Sequence, residues 1–154
     1  MTGDPSAHQT EGRISVEAFN ALMAQTVPLA AYLGIRAERI GAGEAWSRLA
    51  FSPTALRPGG THSGPALMAL ADMCMYAAVL GAIGNDPRPL TTRLEINFLR
   101  RPPACDLIAR CTLLSCDGKR ASGSIVIYPE GEEAEVLCTS TGIYALPRST
   151  SAGG

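Results

Sequence analysis

Gly59-Gly60-Thr61-His62-Ser63-Gly64-Pro65, running on into Ala66-Leu67-Met68-Ala69-Leu70-Ala71-Asp72-Met73-Cys74-Met75-Tyr76-Ala77-Ala78-Val79-Leu80, is the stretch on which the reading of this chain turns. A glycine-rich turn leads straight into a helix that is apolar on every face except at one carboxylate. Pro65 suits the first helical turn, where a missing N–H has no partner to lose, and Ser63 can cap the end. The Ala, Leu and Met that follow are strong helix formers. A helix apolar all round is either a membrane span or the buried centre of a domain.

By length, 64–83 could be a span, since a bilayer needs about 20 apolar residues. Asp72 argues against it, at roughly 2.5–3.5 kcal/mol for a carboxylate at mid-bilayer, as do the many weakly apolar alanines. No Lys/Arg cluster or aromatic belt flanks the segment. The expectation is a buried helix in a soluble domain, with Asp72 as an anomaly that must find partners.

Spacing adds a second expectation. Asp72 follows Gly64 by eight residues, about 12 Å along a helix axis. Free N–H groups at the helix start can bind an oxyanion, but Asp72 of the same chain is too far away to act on that carbonyl. If both serve one reaction, they come from two chains of a symmetric dimer. The spacing therefore predicts an obligate oligomer.

With 154 residues the chain can build one domain with a real core. A formal net charge of −1 supplies no bulk field for nucleic acid or an anionic membrane, so neither is expected as a partner. The cysteines, Cys74, Cys105, Cys111, Cys116 and Cys138, are odd in number and form no CxxC pair. With no signal peptide read at the N-terminus, they are expected to be reduced thiols in a cytoplasmic protein. His8 and His62 are not spaced with them as ligands, so no metal is expected.

Residues 1–13 mix Gly, Pro, Ser, Thr and His and read as a disordered arm. From Ser15, a plausible cap, an amphipathic helix begins, with Val16, Phe19, Leu22 and Met23 on one face. Residues 27–33 form a further helical turn closed by Gly34. The period then changes to two, giving strands over 35–40 and 44–51 joined at Gly41-Ala42-Gly43. A Pro/Gly loop over 52–60 leads into the central helix, which stops near Gly81 or Gly84. Asn85-Asp86-Pro87-Arg88-Pro89 is a breaker cluster. Strands follow over 90–99, 105–116, 121–128 and 135–146, and 148–154 reads as a flexible tail. Residues 14–147 thus make a single α+β domain, an antiparallel sheet wrapped around one long helix. The edge of the 90–99 strand is where a second chain can dock.

The order of elements, with Pro58-Gly59-Gly60, Ser63-Gly64-Pro65 and then Ala71-Asp72, resembles the hotdog-fold acyl-CoA thioesterases of the phenylacetate-degradation (PaaI-type) family. Asn97-Phe98-Leu99-Arg100-Arg101-Pro102 is similar to the strand that follows the helix in that family. The resemblance covers about 27–146. It implies a homodimer, often paired again into a homotetramer, with active sites at the subunit interface and CoA present only as part of the substrate. Asp72 would then be general base or nucleophile on an acyl-CoA thioester, and the Gly64 N–H of the other subunit would polarise its carbonyl. Thr91, with Thr92 as a near alternative, matches a hydroxyl that positions water.

Two positions depart from the family pattern. A His usually precedes the oxyanion glycine, but here Ser63 stands there with His62 one place earlier, and an upstream Asn falls on Arg57. Ser63 reads first as a cap and only second as a catalytic group. His62 is either a substrate-pocket residue or a surface one, and Arg100 and Arg101 can pair with CoA phosphates. Two other functions stay open. A hotdog hydratase or dehydratase would need His62, and a non-catalytic acyl-CoA-binding protein would do without the missing helpers.

Overall fold

Ser15 does cap the first helix. In the computed structural model, which describes residues 10–148, its hydroxyl accepts the Ala18 N–H at 3.1 Å at the head of α1 (Val16–Thr26). The short α2 (Pro28–Leu33) ends at Gly34, whose φ of 74° is left-handed and suits glycine. Strands β1 (Ile35–Gly41) and β2 (Glu44–Leu49) form the expected hairpin. The following segment is more ordered than a plain loop. A single 3-10 turn (Pro53–Ala55) precedes β3 (Leu56–Arg57) and β4 (Thr61–His62), which pair with each other and set the approach to the central helix.

That helix, α3, runs from Gly64 to Ile83 and ends at Gly84. Behind it come β5 (Leu90–Phe98), β6 (Leu107–Cys116), β7 (Arg120–Pro129) and β8 (Cys138–Ala145). β6 and β8 start later than the sequence suggests, because 105–106 and 135–137 lie in irregular segments ahead of the ladder. The long strands form one antiparallel sheet in the order β1-β2-β6-β7-β8-β5. Its concave face takes α3, which buries Leu70, Cys74, Met75, Val79 and Leu80 against inward residues such as Leu49, Leu107, Ala109 and Ile127. The central helix is long and apolar enough to cross a membrane, but its apolar surface is spent on this core.

Close approach of helix and sheet fixes Gly81. A Cβ there would lie 2.2 Å from the Gly41 carbonyl oxygen, well inside contact distance. The expected arm and tail fall largely outside the described residues. Within them, Glu11 bridges to Gly41, and the Arg13 N–H donates to the Gly81 carbonyl at 2.8 Å.

Candidate active site

Asp72 stands near the middle of α3, half-buried rather than enclosed. What reaches it is decided by the register of β5 on β8. Phe98 lies opposite Cys138, Ile96 opposite Ser140 and Leu94 opposite Gly142, after which the register shifts and Thr91 lies opposite Tyr144. A bulge of one residue inverts the alternation of side chains. Thr91 therefore joins Leu94, Ile96 and Phe98 on the face toward the helix, while Thr92 is exposed and donates to the Ile143 carbonyl at 3.1 Å.

The Thr91 hydroxyl donates to Asp72 Oδ1 at 2.8 Å, and the Tyr144 hydroxyl donates to the same oxygen at 2.6 Å. Tyr144 also lies 3.1 Å from the Asp72 carbonyl oxygen. No hydrogen bond from the described residues reaches Asp72 Oδ2. Burial pushes the Tyr144 phenol well above its ordinary range, and the neighbouring Asp72 charge pushes the same way. Tyr144 is thus a fixed donor across the physiological pH range.

This cluster opens on a cavity of about 280 Å³. Asp72, Met73, Tyr76, Thr91 and Tyr144 line it, together with Met23 and Thr26 of α1 and Pro87, Pro89 and Leu90. Tyr76, one turn beyond Asp72, donates to the Pro87 carbonyl at 2.9 Å and so ties Pro87 to α3. Its ring stacks on Tyr144 at 6.0 Å and 12°, with Phe19 edge-on at 5.8 Å.

Gly64 lines a different cavity, of about 460 Å³, together with Arg57, Thr61, His62, Leu67 and residues 98–102. As first residue of a 20-residue helix its N–H lies ahead of the intrahelical ladder. Ser63 serves as the cap, accepting the Ala66 N–H at 3.3 Å. His62 is not a surface residue: it is 1% exposed, and its Nε2 lies 2.8 Å from the Cys105 carbonyl oxygen. A carbonyl only accepts, so Nε2 carries the proton, and Nδ1 is left buried without a partner among the described residues. Arg57 donates to Thr61 Oγ1 at 3.3 Å and Arg101 to the Gly59 carbonyl at 3.1 Å, while Arg100 pairs with Glu135 at 2.6 Å.

The residues singled out in the sequence therefore fall into two groups. Asp72 and Thr91 meet; Gly64, His62, Arg57, Arg100 and Arg101 gather elsewhere, with Ser63 beside them in sequence, and no described residue lines both cavities. Tyr144 carries no such mark in the sequence. In sequence it is one aromatic in an alternating strand, and only its register opposite Thr91 marks it. Chemically, the first group offers a carboxylate with one oxygen tied and the other free, and the second a helix N-terminus suited to negative charge.

Residues 59–135 match the thioesterase superfamily. Among solved structures, the fold is shared with a protein from Silicibacter sp. TM1040 assigned as a thioesterase, at 31% identity and a TM-score of 0.79, over 91% of this chain and 96% of that one. A thioesterase from Haemophilus influenzae superposes with a TM-score of 0.79 at 18% identity, over 96% of this chain and all of the other. A variant of the phenylacetic acid degradation protein PaaI from Thermus thermophilus gives a TM-score of 0.68 at 21% identity, over 78% of this chain and 99% of that one. Curated proteins offer no match. The architecture is the hotdog fold, and the chain belongs to the thioesterase superfamily.

Proposed function

We propose that this protein hydrolyses an acyl-CoA thioester to the free acid and CoA, as the PaaI-type enzymes it resembles do. The observation that carries this is the state of Asp72: Oδ1 is held by two hydroxyl donors, and Oδ2, beside a cavity of about 280 Å³, has no hydrogen-bond partner among the described residues. In this reading Oδ2 takes a proton from water, and the water oxygen adds to the thioester carbon. The oxyanion forms at the Gly64 N–H of a second subunit, where the helix dipole stabilises it. Collapse breaks the C–S bond, and the proton on Asp72 passes to the departing sulfur. Direct attack by Oδ2 on the thioester carbon, breaking the C–S bond and releasing CoA as its thiolate, would give an anhydride that water then opens to the free acid and the Asp72 carboxylate.

Two subunits are called for because the two groups open into separate cavities at opposite ends of β5. Leu90 and Thr91 line the Asp72 cavity, and Phe98 and Leu99 line that of Gly64. β5 is the edge of the sheet, so a second copy pairing antiparallel along it brings the start of one strand to the end of the other. A homodimer formed in this way has two composite sites, and two such dimers can pair as a tetramer. Arg57, Arg100 and Arg101 are the candidates for the CoA phosphates, which guanidinium groups fit. The proposed reaction runs in the cytoplasm and draws on no metal or other cofactor.

Thiol release from short, medium, long and aryl acyl-CoAs, comparing wild type with Asp72→Asn, tests the proposal. Turnover that drops by about 10²–10⁴ in the variant, with the oligomer intact, supports it. If wild type binds CoA esters without turning any over, the protein is a binding module and the hydrolase reading fails.

A further inference from the structure

Tyr144 is the most deeply buried hydroxyl in contact with Asp72, at 3% exposure, and its position is set three times over. Its strand holds it opposite Thr91, its ring stacks on Tyr76, and its hydroxyl meets Asp72 at both the side chain and the main chain. Tyr76 is in turn braced by Phe19 and by the Pro87 carbonyl. A carboxylate on a helix has a soft terminal torsion, so nothing in α3 itself decides which oxygen faces the cavity. Two donors converging on one oxygen do decide it.

We infer that Tyr144 is a positioning residue: with Thr91 it pins Oδ1 and makes Oδ2 the oxygen that reacts. This rests on the hydrolase reading above. Tyr144 itself transfers no proton in this scheme. It orients the carboxylate and holds the substrate cavity against the Tyr76 wall, so its loss acts on the chemical step rather than on substrate binding.

The test is Tyr144→Phe, which keeps the ring and its stacking and deletes only the hydroxyl, beside Thr91→Val, which deletes the other donor. Each is expected to lower kcat about 10- to 100-fold with KM little changed. The double variant should fall by less than the product of the singles, because both bonds hold the same atom. A melting temperature close to wild type shows that packing is intact; should Tyr144→Phe fold poorly, Thr91→Val and the KM-against-kcat split carry the test. Full kcat in Tyr144→Phe, with Asp72→Asn inactive, overturns the inference and leaves the hydrolase standing. Loss confined to KM overturns it as well. A wild type inactive on every thioester removes both together.

Discussion

Gly64 opens the helix that carries Asp72, yet the two residues line different cavities, Gly64 with Phe98 and Asp72 with Leu90. Along the helix axis the two positions are separated by about 12 Å. This makes the proposed two-chain site open to a genetic test.

Asp72→Asn and Gly64→Pro should each abolish turnover. Proline at the first helical position removes the N–H, and Ser63 already has the extended backbone, at ψ 151°, that a following proline requires; because Pro65 follows, far-UV circular dichroism of the variant checks that the helix is kept. Mixed and reassembled, the two inactive variants should recover about one quarter of wild-type activity, since about half the dimers are mixed and each has one intact site. Assay after denaturation and joint refolding reads this directly. No recovery, with mixed dimers demonstrably formed, would mean that both groups act within one chain.

Gly81→Ala should cost about 1–3 kcal/mol, the usual range for overpacking. The added methyl meets the Gly41 carbonyl, which is backbone and cannot swing aside. Gly142→Ala should cost less, although its Cβ would come within 2.5 Å of Met75 Sδ, because a methionine side chain can rotate. Urea unfolding of the two variants gives the ranking.

Acid should weaken the fold through Asp106. The Phe51 N–H, at 2.8 Å, holds its carboxyl below the ordinary carboxylate range, and Arg48, at 2.9 Å, adds to this. A depressed folded-state value stabilises at pH above the unfolded-state value of about 4, and that stability is lost as pH falls through the folded-state value. Asp106→Asn should therefore be less stable than wild type at neutral pH and should lose less of its stability between pH 5 and pH 3. Denaturant midpoints across that range check the sign; a steeper acid loss in the variant would contradict it.

The thiols should divide by position. Burial pushes Cys74 up to about 12 and Cys138 up to about 11, and Cys111 is buried as well. Cys105 is half-buried, with burial and then the Asp106 charge raising it, whereas Cys116 is exposed. A thiol-disulfide reagent should modify Cys116 fast in the native protein and all five thiols after unfolding. Rapid native modification of Cys74 would mean that the core around α3 opens.

Much of this architecture was legible because its causes are local. The apolar run after Gly64, the Ser15 and Ser63 caps, the left-handed Gly34 and the alternation in each strand are properties of neighbouring residues, and they become α1, α2, α3 and the long strands of the sheet. The distance from Gly64 to Asp72 is likewise a matter of helix rise, which is why their separation could be read without coordinates.

The rest depends on pairings between distant residues. Whether Thr91 or Thr92 faces Asp72 turns on a one-residue bulge against β8, and period-two alternation carries no mark of where a register slips. Tyr144 reaches Asp72 from 72 residues further along the chain, through that same register. His62, a lone histidine beside glycines, is buried because β4 pairs with β3 and the ring meets Cys105 across 43 residues. Sequence by itself determined the helices, the long strands and the helical carboxylate, since those follow from spacing along the backbone. Only the packed sheet decided which hydroxyls hold that carboxylate and which of its oxygens is left free.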